Sequence, residues 1–217
     1  MIIAVDGPAA SGKGTIARAL ARHYGLPHLD TGLLYRAVAL TVVRNDLNPD
    51  IEADCFAACD FDESVLADPE LRTDEIGKTA SIVSAHPLVR TALLHRQRRF
   101  ANQPGGAVLD GRDIGTVIAP NADAKLFVQA TPTIRAKRRH SELRAQGSSV
   151  SLDKVLTDIR ARDQRDTHRT AAPLILANDA ALLDTSFLSI ESAVQRAIAL
   201  VETRITKRPG EDSQPKA

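Results

Sequence analysis

Apolar residues fall along this chain in two alternating rhythms. Short, mainly apolar runs stand at Ile2–Val5, Ala107–Leu109, Lys125–Val128 and Ala181–Leu183, with a weaker one at Leu26–Leu29. Each has the length of a strand, and a run that is apolar throughout suits a strand buried on both faces. Between the runs the spacing changes to three and four. Ile16, Ala17, Leu20, Ala21 and Tyr24 form one stripe, Leu34, Ala37, Val38 and Thr41 a second, and Ile190, Ala193, Val194, Ala197, Val201 and Ile205 a third. That spacing predicts helices, and Thr131 before Pro132 predicts another helix start, with proline at the first helical position. Strands alternating with helices predict an α/β fold in which a parallel five-stranded sheet is flanked by helices.

The alternation lapses before Ala107. The irregular acidic text DLNPDIEADCFAACDFDESVLADPE gives way to two expected helices, Asp74–Ser84 and Leu88–Asn102, broken at Pro87. The layout expected is a core over 1–45 and 105–206, an insert over 46–104, and a tail over 207–217. The tail reads KRPGEDSQPKA, lacks apolar residues apart from its last alanine, and is expected to be disordered.

Composition narrows the partners. Lys and Arg number 28 against 27 Asp and Glu, so no bulk field draws the chain to nucleic acid or to a membrane surface. Aromatic residues make up 3%, too few for a base-stacking platform. No apolar stretch approaches the ~20 residues of a membrane span. The apolar start is too short for a secretory signal and runs into Asp6 and Gly7, so a cytoplasmic protein is expected. Cys55 and Cys59 are the only cysteines and read as small apolar residues of a reducing compartment. The six histidines show no ligand spacing and no triad.

Chemistry enters at Gly7-Pro8-Ala9-Ala10-Ser11-Gly12-Lys13-Gly14-Thr15, which follows the first strand and opens the first helix. Small residues let backbone N–H groups converge on phosphate oxygens, the helix start adds its unpaired donors, and Lys13 reaches the outer phosphates. The general pattern has Ser or Thr directly after the lysine. Here Gly14 stands there and the hydroxyl comes one place later, at Thr15, which leaves direct metal ligation by Thr15 open. No side chain is assigned to a metal.

Arginine supplies 21 of the 28 basic residues, and three clusters of it lie outside the loop. In LDTGLLYR, Asp30 ends a short strand, Thr31 is the expected helix cap, and Tyr35 and Arg36 follow one turn in. In VLDGRDIGT, Arg112 and Asp113 fall just beyond the carboxyl end of a strand, where α/β sheets hold ligands. In RARDQRDTHR, Arg162, Arg165 and Arg169 are spaced three and four apart, on one helix face with Asp166. Each cluster also has a structural reading: a solvated Arg36, an Arg112 paired with Asp110 or Asp113, and a surface helix laced with ion pairs. Beside a phosphate loop, several separate arginines point to two anions held together against their repulsion. Phosphoryl transfer between phosphates demands that arrangement.

These motifs resemble the bacterial cytidylate kinases of the nucleoside monophosphate kinase family. The resemblance is carried by IAVDGPAASGKGT, LDTGLLYR, VRTALLHRQRRF, LDGRDIGTVIAPNADAKLFVQA and IRARDQRDTHRTAAPL, in family order over roughly residues 2 to 185. It implies transfer of the ATP γ-phosphoryl group to CMP or dCMP with Mg²⁺, by a monomer built of a core, a monophosphate-binding insert and a helical lid at about 145–172. Position by position it implies that Gly7 to Thr15 cradle ATP, with Lys13 on the β- and γ-phosphates. Thr31, Arg36, Arg112 and Arg169, with Tyr35 beside them, hold the acceptor's phosphate. Ser81, Arg90 and Asp113 read cytosine, Arg162 and Asp166 meet the sugar, and Arg165 steadies the transferring group. The stretch from Asp60 to Arg72 is short for the family, so the small sheet often found in the insert is expected to be reduced or missing.

Other readings fit less well. A kinase for another small acceptor, such as shikimate or dephospho-coenzyme A, is disfavoured by DGRDIGT. A GTPase would carry an Asn-Lys-x-Asp stretch and a transport ATPase an LSGGQ-like signature, and neither occurs.

Overall fold

The computed structural model describes residues 1–206, so the predicted disorder of 207–217 lies outside the described residues. Five strands form one parallel sheet: β1 (Ile2–Asp6), β2 (His28–Asp30), β3 (Ala107–Gly111), β4 (Ala124–Gln129) and β5 (Ala181–Asp184), in the order β2-β3-β1-β4-β5. The apolar run at the start becomes the middle strand. Ile3, Ala4 and Val5 are fully buried, as a strand covered on both faces requires. The helices are α1 (Lys13–Tyr24), α2 (Thr31–Arg44), α3 (Glu52–Ala57), α4 (Asp74–Val83), α5 (Pro87–Ala101), α6 (Pro132–Ala145), α7 (Leu152–His168) and α8 (Ile190–Thr206).

The predicted stripes are the faces that pack. Ile16, Ala17, Leu20 and Ala21 of α1 join Ala193, Ala197 and Val201 of α8 over Ile3, Val5, Leu126 and Val128. A second cluster, with Ala4, Leu109, Ile114 and Ala101, joins β1 and β3 to α5 and the turn after β3. A third is centred on α2, whose Leu34, Val38 and Leu40 pack against Cys55, Leu71, Ile76, Val83 and Leu93. A fourth, small one closes α6 on α7 through Ala136, Leu143, Val155 and Ile159.

Several boundaries move. The weak strand expected at Leu26–Leu29 is paired only over His28–Asp30, and β3 runs on through Asp110 to Gly111. Pro87 does not stand outside a helix; it is the first residue of α5, where its missing N–H costs nothing. Residues 46–104 contain no strand among the described residues, as the short acidic stretch led one to expect. Its place is taken by two 3₁₀ turns, Glu63–Ala67 and Pro69–Arg72, capped by Asp62 and Asp68. Cys55 is buried and Cys59 partly so; both are free, and burial pushes both thiols up to about 11, in keeping with unreactive packing residues.

This topology brings the loops after β1 and β3 side by side at the carboxyl edge of the sheet, beside the start of α2. Leu20, fully buried between α1, α8 and the sheet, anchors that arrangement. Leu20→Ala is expected to lower the unfolding free energy by about 2–5 kcal/mol, read as a lower urea midpoint with an unchanged slope.

Candidate active site

The loop from Gly7 to Gly12 starts hard against the sheet. A side chain at Gly7 would place its Cβ 2.0 Å from the carbonyl oxygen of Val128, so only glycine fits there. The loop ends at Gly12, which caps α1 without any side-chain hydrogen bond, and the first turn of α1 carries no acidic residue. Helices α2, α4, α6 and α7 are instead capped by Asp30, Thr73, Thr131 and Ser151. The start of α1 therefore keeps donors and a positive dipole end for an anion. Ala9, Ala10, Gly12, Lys13, Gly14 and Thr15 line a cleft of about 620 Å³. Gly7, Pro8 and Ser11 do not. Gly7 packs on β4, and Ser11 is buried with its hydroxyl unpaired.

Across the cleft stand all the other residues singled out from the sequence: Thr31, Tyr35, Arg36, Ser81, Arg90, Arg112, Asp113, Arg162, Arg165, Asp166 and Arg169. The structure corrects how several of them are held. Asp30, not Thr31, caps α2, accepting the Gly32 N–H at 2.9 Å, while the Thr31 hydroxyl donates to the Asp110 carbonyl at 2.9 Å. Arg112 pairs with neither neighbouring aspartate. Its Nε donates to Asp166 Oδ2 on α7 at 2.8 Å. Arg169 has left the helix face, for it is the extended C-cap of α7 and donates to the Ala172 carbonyl. Arg36 is not solvated. It donates to the carbonyls of Leu71 and Thr73, and Gly77 leaves room for it, since a Cβ there would sit 2.8 Å from its Nη2.

Two carboxylates divide the arginines. Asp113 accepts Arg90 Nη2 at 2.5 Å in a buried pair, and Arg90 also lies over the Tyr35 ring at 5.5 Å. Asp166 binds Arg112 and stands 4.0 Å from Arg162 Nε. Burial alone would weaken protonation of Arg90 and Arg112, yet Tyr35 and Asp113 for the one, and Asp166 for the other, hold both above the usual arginine range. The remaining cations are under-compensated. Burial, then the Arg112 charge, brings Lys13 down to about 8 and Arg162 to about 10. Burial with Arg139 lowers Arg36, and burial with Arg90 lowers Arg169. Arg162 Nε and Arg169 Nη2 are buried donors without a hydrogen-bond acceptor. A cleft with surplus buried positive charge and donors to spare is built for phosphates.

Some site residues gave little sign in the sequence. Asp110 accepts His28 Nε2 at 2.8 Å and stands 3.8 Å from Lys13 Nζ. Arg135, 3% exposed, makes a bidentate pair with Asp163 on α7 and donates to the Ala9 carbonyl, tying α7 to the phosphate loop. Arg138 reaches Thr185, whose hydroxyl donates to the Ser11 carbonyl. The arginine-rich run RAKRRH was the only visible hint. Among the described residues no group of three or more His, Cys, Asp or Glu is placed to hold a metal, and no helix is long and apolar enough to cross a membrane.

The family model for cytidylate kinase matches residues 3–203. The chain belongs to the cytidylate kinase family. A cytidylate kinase of Xanthobacter autotrophicus is 59% identical over 204 residues, covering 94% of this chain and 98% of the relative. One of Azorhizobium caulinodans is 55% identical, over 93% of this chain and 98% of its own. Among solved structures, an uncharacterized protein from Eubacterium ventriosum aligns with a TM-score of 0.55 at 15% identity, over 94% of this chain and 99% of its own, a likeness of fold alone.

The division of charge makes Asp166 critical, since its removal strands two buried guanidiniums. Asp166→Asn is expected to cost about 3–5 kcal/mol of stability. Added pyrophosphate should restore part of the lost melting temperature, because an anion replaces the missing carboxylate. An unchanged melting temperature would place Asp166 outside the charge network.

Proposed function

We propose that this protein transfers the γ-phosphoryl group of ATP to CMP or dCMP, giving ADP and CDP or dCDP. The observation that carries the reading is the surplus of buried cations at both ends of one cleft: Lys13 at the uncapped start of α1, and Arg36, Arg162 and Arg169 opposite. ATP lies with its phosphates on the loop from Gly7 to Thr15, and the acceptor lies across the cleft, between α2, α4 and the loop after β3. On this reading residues 46–104 form the acceptor-binding insert, and about 145–172 form the lid. On the same reading the active unit is a monomer working in the cytoplasm.

An oxygen of the acceptor's phosphate attacks the γ-phosphorus. The new O–P bond forms as the bond to the bridging β-γ oxygen breaks, and ADP leaves with that electron pair. The nucleophile is already an anion, so no side chain must take a proton from it. What the protein supplies is alignment and neutralisation. Lys13 faces the charge developing between the β- and γ-phosphates. Arg36, Arg112 and Arg169 hold the acceptor's phosphate, and Arg165 and Arg162 approach from α7. The oxygen donor that faces Lys13 and Gly14 is the Asp110 carboxylate. A hard oxygen donor of this kind suits Mg²⁺, and Asp110 would help to hold it. When bound, Mg²⁺ neutralises the β- and γ-phosphates.

Ser81, Arg90 and Asp113 favour cytosine. Its amino group donates beside a ring nitrogen and a carbonyl that accept, so a carboxylate and an arginine match it. Uracil would set a carbonyl against Asp113, acceptor against acceptor.

An assay of ADP formation with CMP, dCMP, UMP, AMP, GMP and shikimate tests the reading. ADP formation dependent on CMP and dCMP supports it, and indifference to the acceptor overturns it. Lys13→Ala is expected to lower kcat by about 100- to 1,000-fold, the scale for removing a group that faces transition-state charge; near-normal kcat would displace the loop assignment. Asp113→Asn is expected to narrow the ratio of kcat/KM between CMP and UMP by roughly tenfold, since its amide can donate to uracil.

A further inference from the structure

Asp6 ends β1, and the phosphate loop begins at the next residue. It is 5% exposed, and no step of the transfer uses it. Its two carboxylate oxygens accept the backbone N–H groups of Ile114 and Gly115, each at 2.8 Å and both buried. Those two groups open the turn Ile114–Ile118, whose own N-cap, Asp113, makes no side-chain cap bond. Asp6 thus supplies the missing cap from 108 residues away in sequence.

The consequence lies in what that turn carries. Arg112 and Asp113 directly precede it, and on the reading above they hold the acceptor's phosphate and its base. One carboxylate therefore joins the loop that cradles the donor to the loop that cradles the acceptor. Slack is small. A carbon added at Gly115 would stand 3.4 Å from Asp6 Oδ2 and 3.0 Å from Lys125 Cδ, so β4 presses the turn onto the carboxylate.

We propose that Asp6 is a positioning residue of the transfer site, fixing the acceptor loop against the donor loop so that Asp113 meets the cytosine edge. A purely structural carboxylate would hold the fold and leave selectivity unaffected. The charged groups facing Asp6 are Arg112 and Asp113 from the loop after β3, and Lys125 from β4, itself paired with Asp179. Burial raises Asp6 to about 6 against the two N–H bonds, with Asp113 adding to the rise and Arg112 opposing it. Below that pH the carboxyl carries a proton and one of its two acceptor positions becomes a donor.

The inference rests on the CMP kinase reading and is tested with the full chain. Asp6→Asn keeps the shape and one acceptor but turns an amide donor toward one of the two N–H groups. We expect its ratio of kcat/KM for CMP over UMP to fall about tenfold, the scale of one mispaired buried hydrogen bond. In the parent, the same ratio is measured between about pH 5 and 8; the phosphate ionisation common to both nucleotides cancels in it. The ratio should decline as pH falls through about 6 in the parent and stay flat in Asp6→Asn. A folded Asp6→Asn with the parent's ratio overturns the proposal. Should that variant not fold, a parent ratio constant across the range overturns it equally. A parent that phosphorylates no acceptor overturns the functional reading, and this one with it.

Discussion

Buried cations with incomplete counter-charge are costly, and this cleft holds several. Lys13, Arg36, Arg162 and Arg169 all lose proton affinity to burial and to neighbouring guanidiniums. Folding tolerates them because the surrounding sheet and helices fix their backbones, and because Asp113 and Asp166 neutralise two neighbouring arginines, Arg90 and Arg112. The cleft is thereby divided into a satisfied frame and an unsatisfied lining. A phosphate entering it gains more from each lining cation than it would from an exposed lysine, because part of the desolvation of those cations is already paid in folding.

The same constraint explains the unusual backbone at the cleft floor. An acidic cap on α1 would occupy the donors that the phosphates need, so Gly12 takes that position while four other helices keep side-chain caps. Local stability is given up at one helix end and recovered in packing: Ile16 and Leu20 bury the next turns of the same helix. Glycine in place of a capping side chain costs only about a few tenths of a kcal/mol, and burying two large side chains outweighs it.

What could be read from the sequence follows from how local each signal is. The phosphate loop and β1 were legible because strand, loop, lysine and helix are consecutive. The arginine clusters were legible as chemistry but not as partnerships. Arg112 sits beside two aspartates, and nothing local says that its partner is Asp166, 54 residues on. Asp30 and Thr31 are both good caps, and only the packing of Thr31 on the Asp110 carbonyl decides between them. Arg135 and Asp6 were silent for the same reason, since each acts on backbone more than a hundred residues away. The small strand β2 shifted by a residue or two because its three residues are too few for periodicity to fix an edge.

The bonds that join α4 to α6 and α7 are of a different kind from the buried pairs beneath them. Arg139 reaches Asp74 at 3.0 Å, Lys78 stands 3.5 Å from Asp158, and Arg165 meets Ser81 at 3.2 Å, linking α4 to α6 and α7. The Lys78 side chain is 55% exposed and that of Asp74 40%, against 8% and 6% for the pair Arg90 and Asp113. Exposed pairs contribute about 0–1 kcal/mol each and weaken with salt, whereas buried ones resist separation. A transferase must release two charged products at every turnover, so strong bonds across the cleft mouth would trap them. Weak pairing between α4 and the two helices α6 and α7 lets that side of the cleft reopen, while the buried pairs Arg90–Asp113 and Arg112–Asp166 keep the reading and neutralising groups in place.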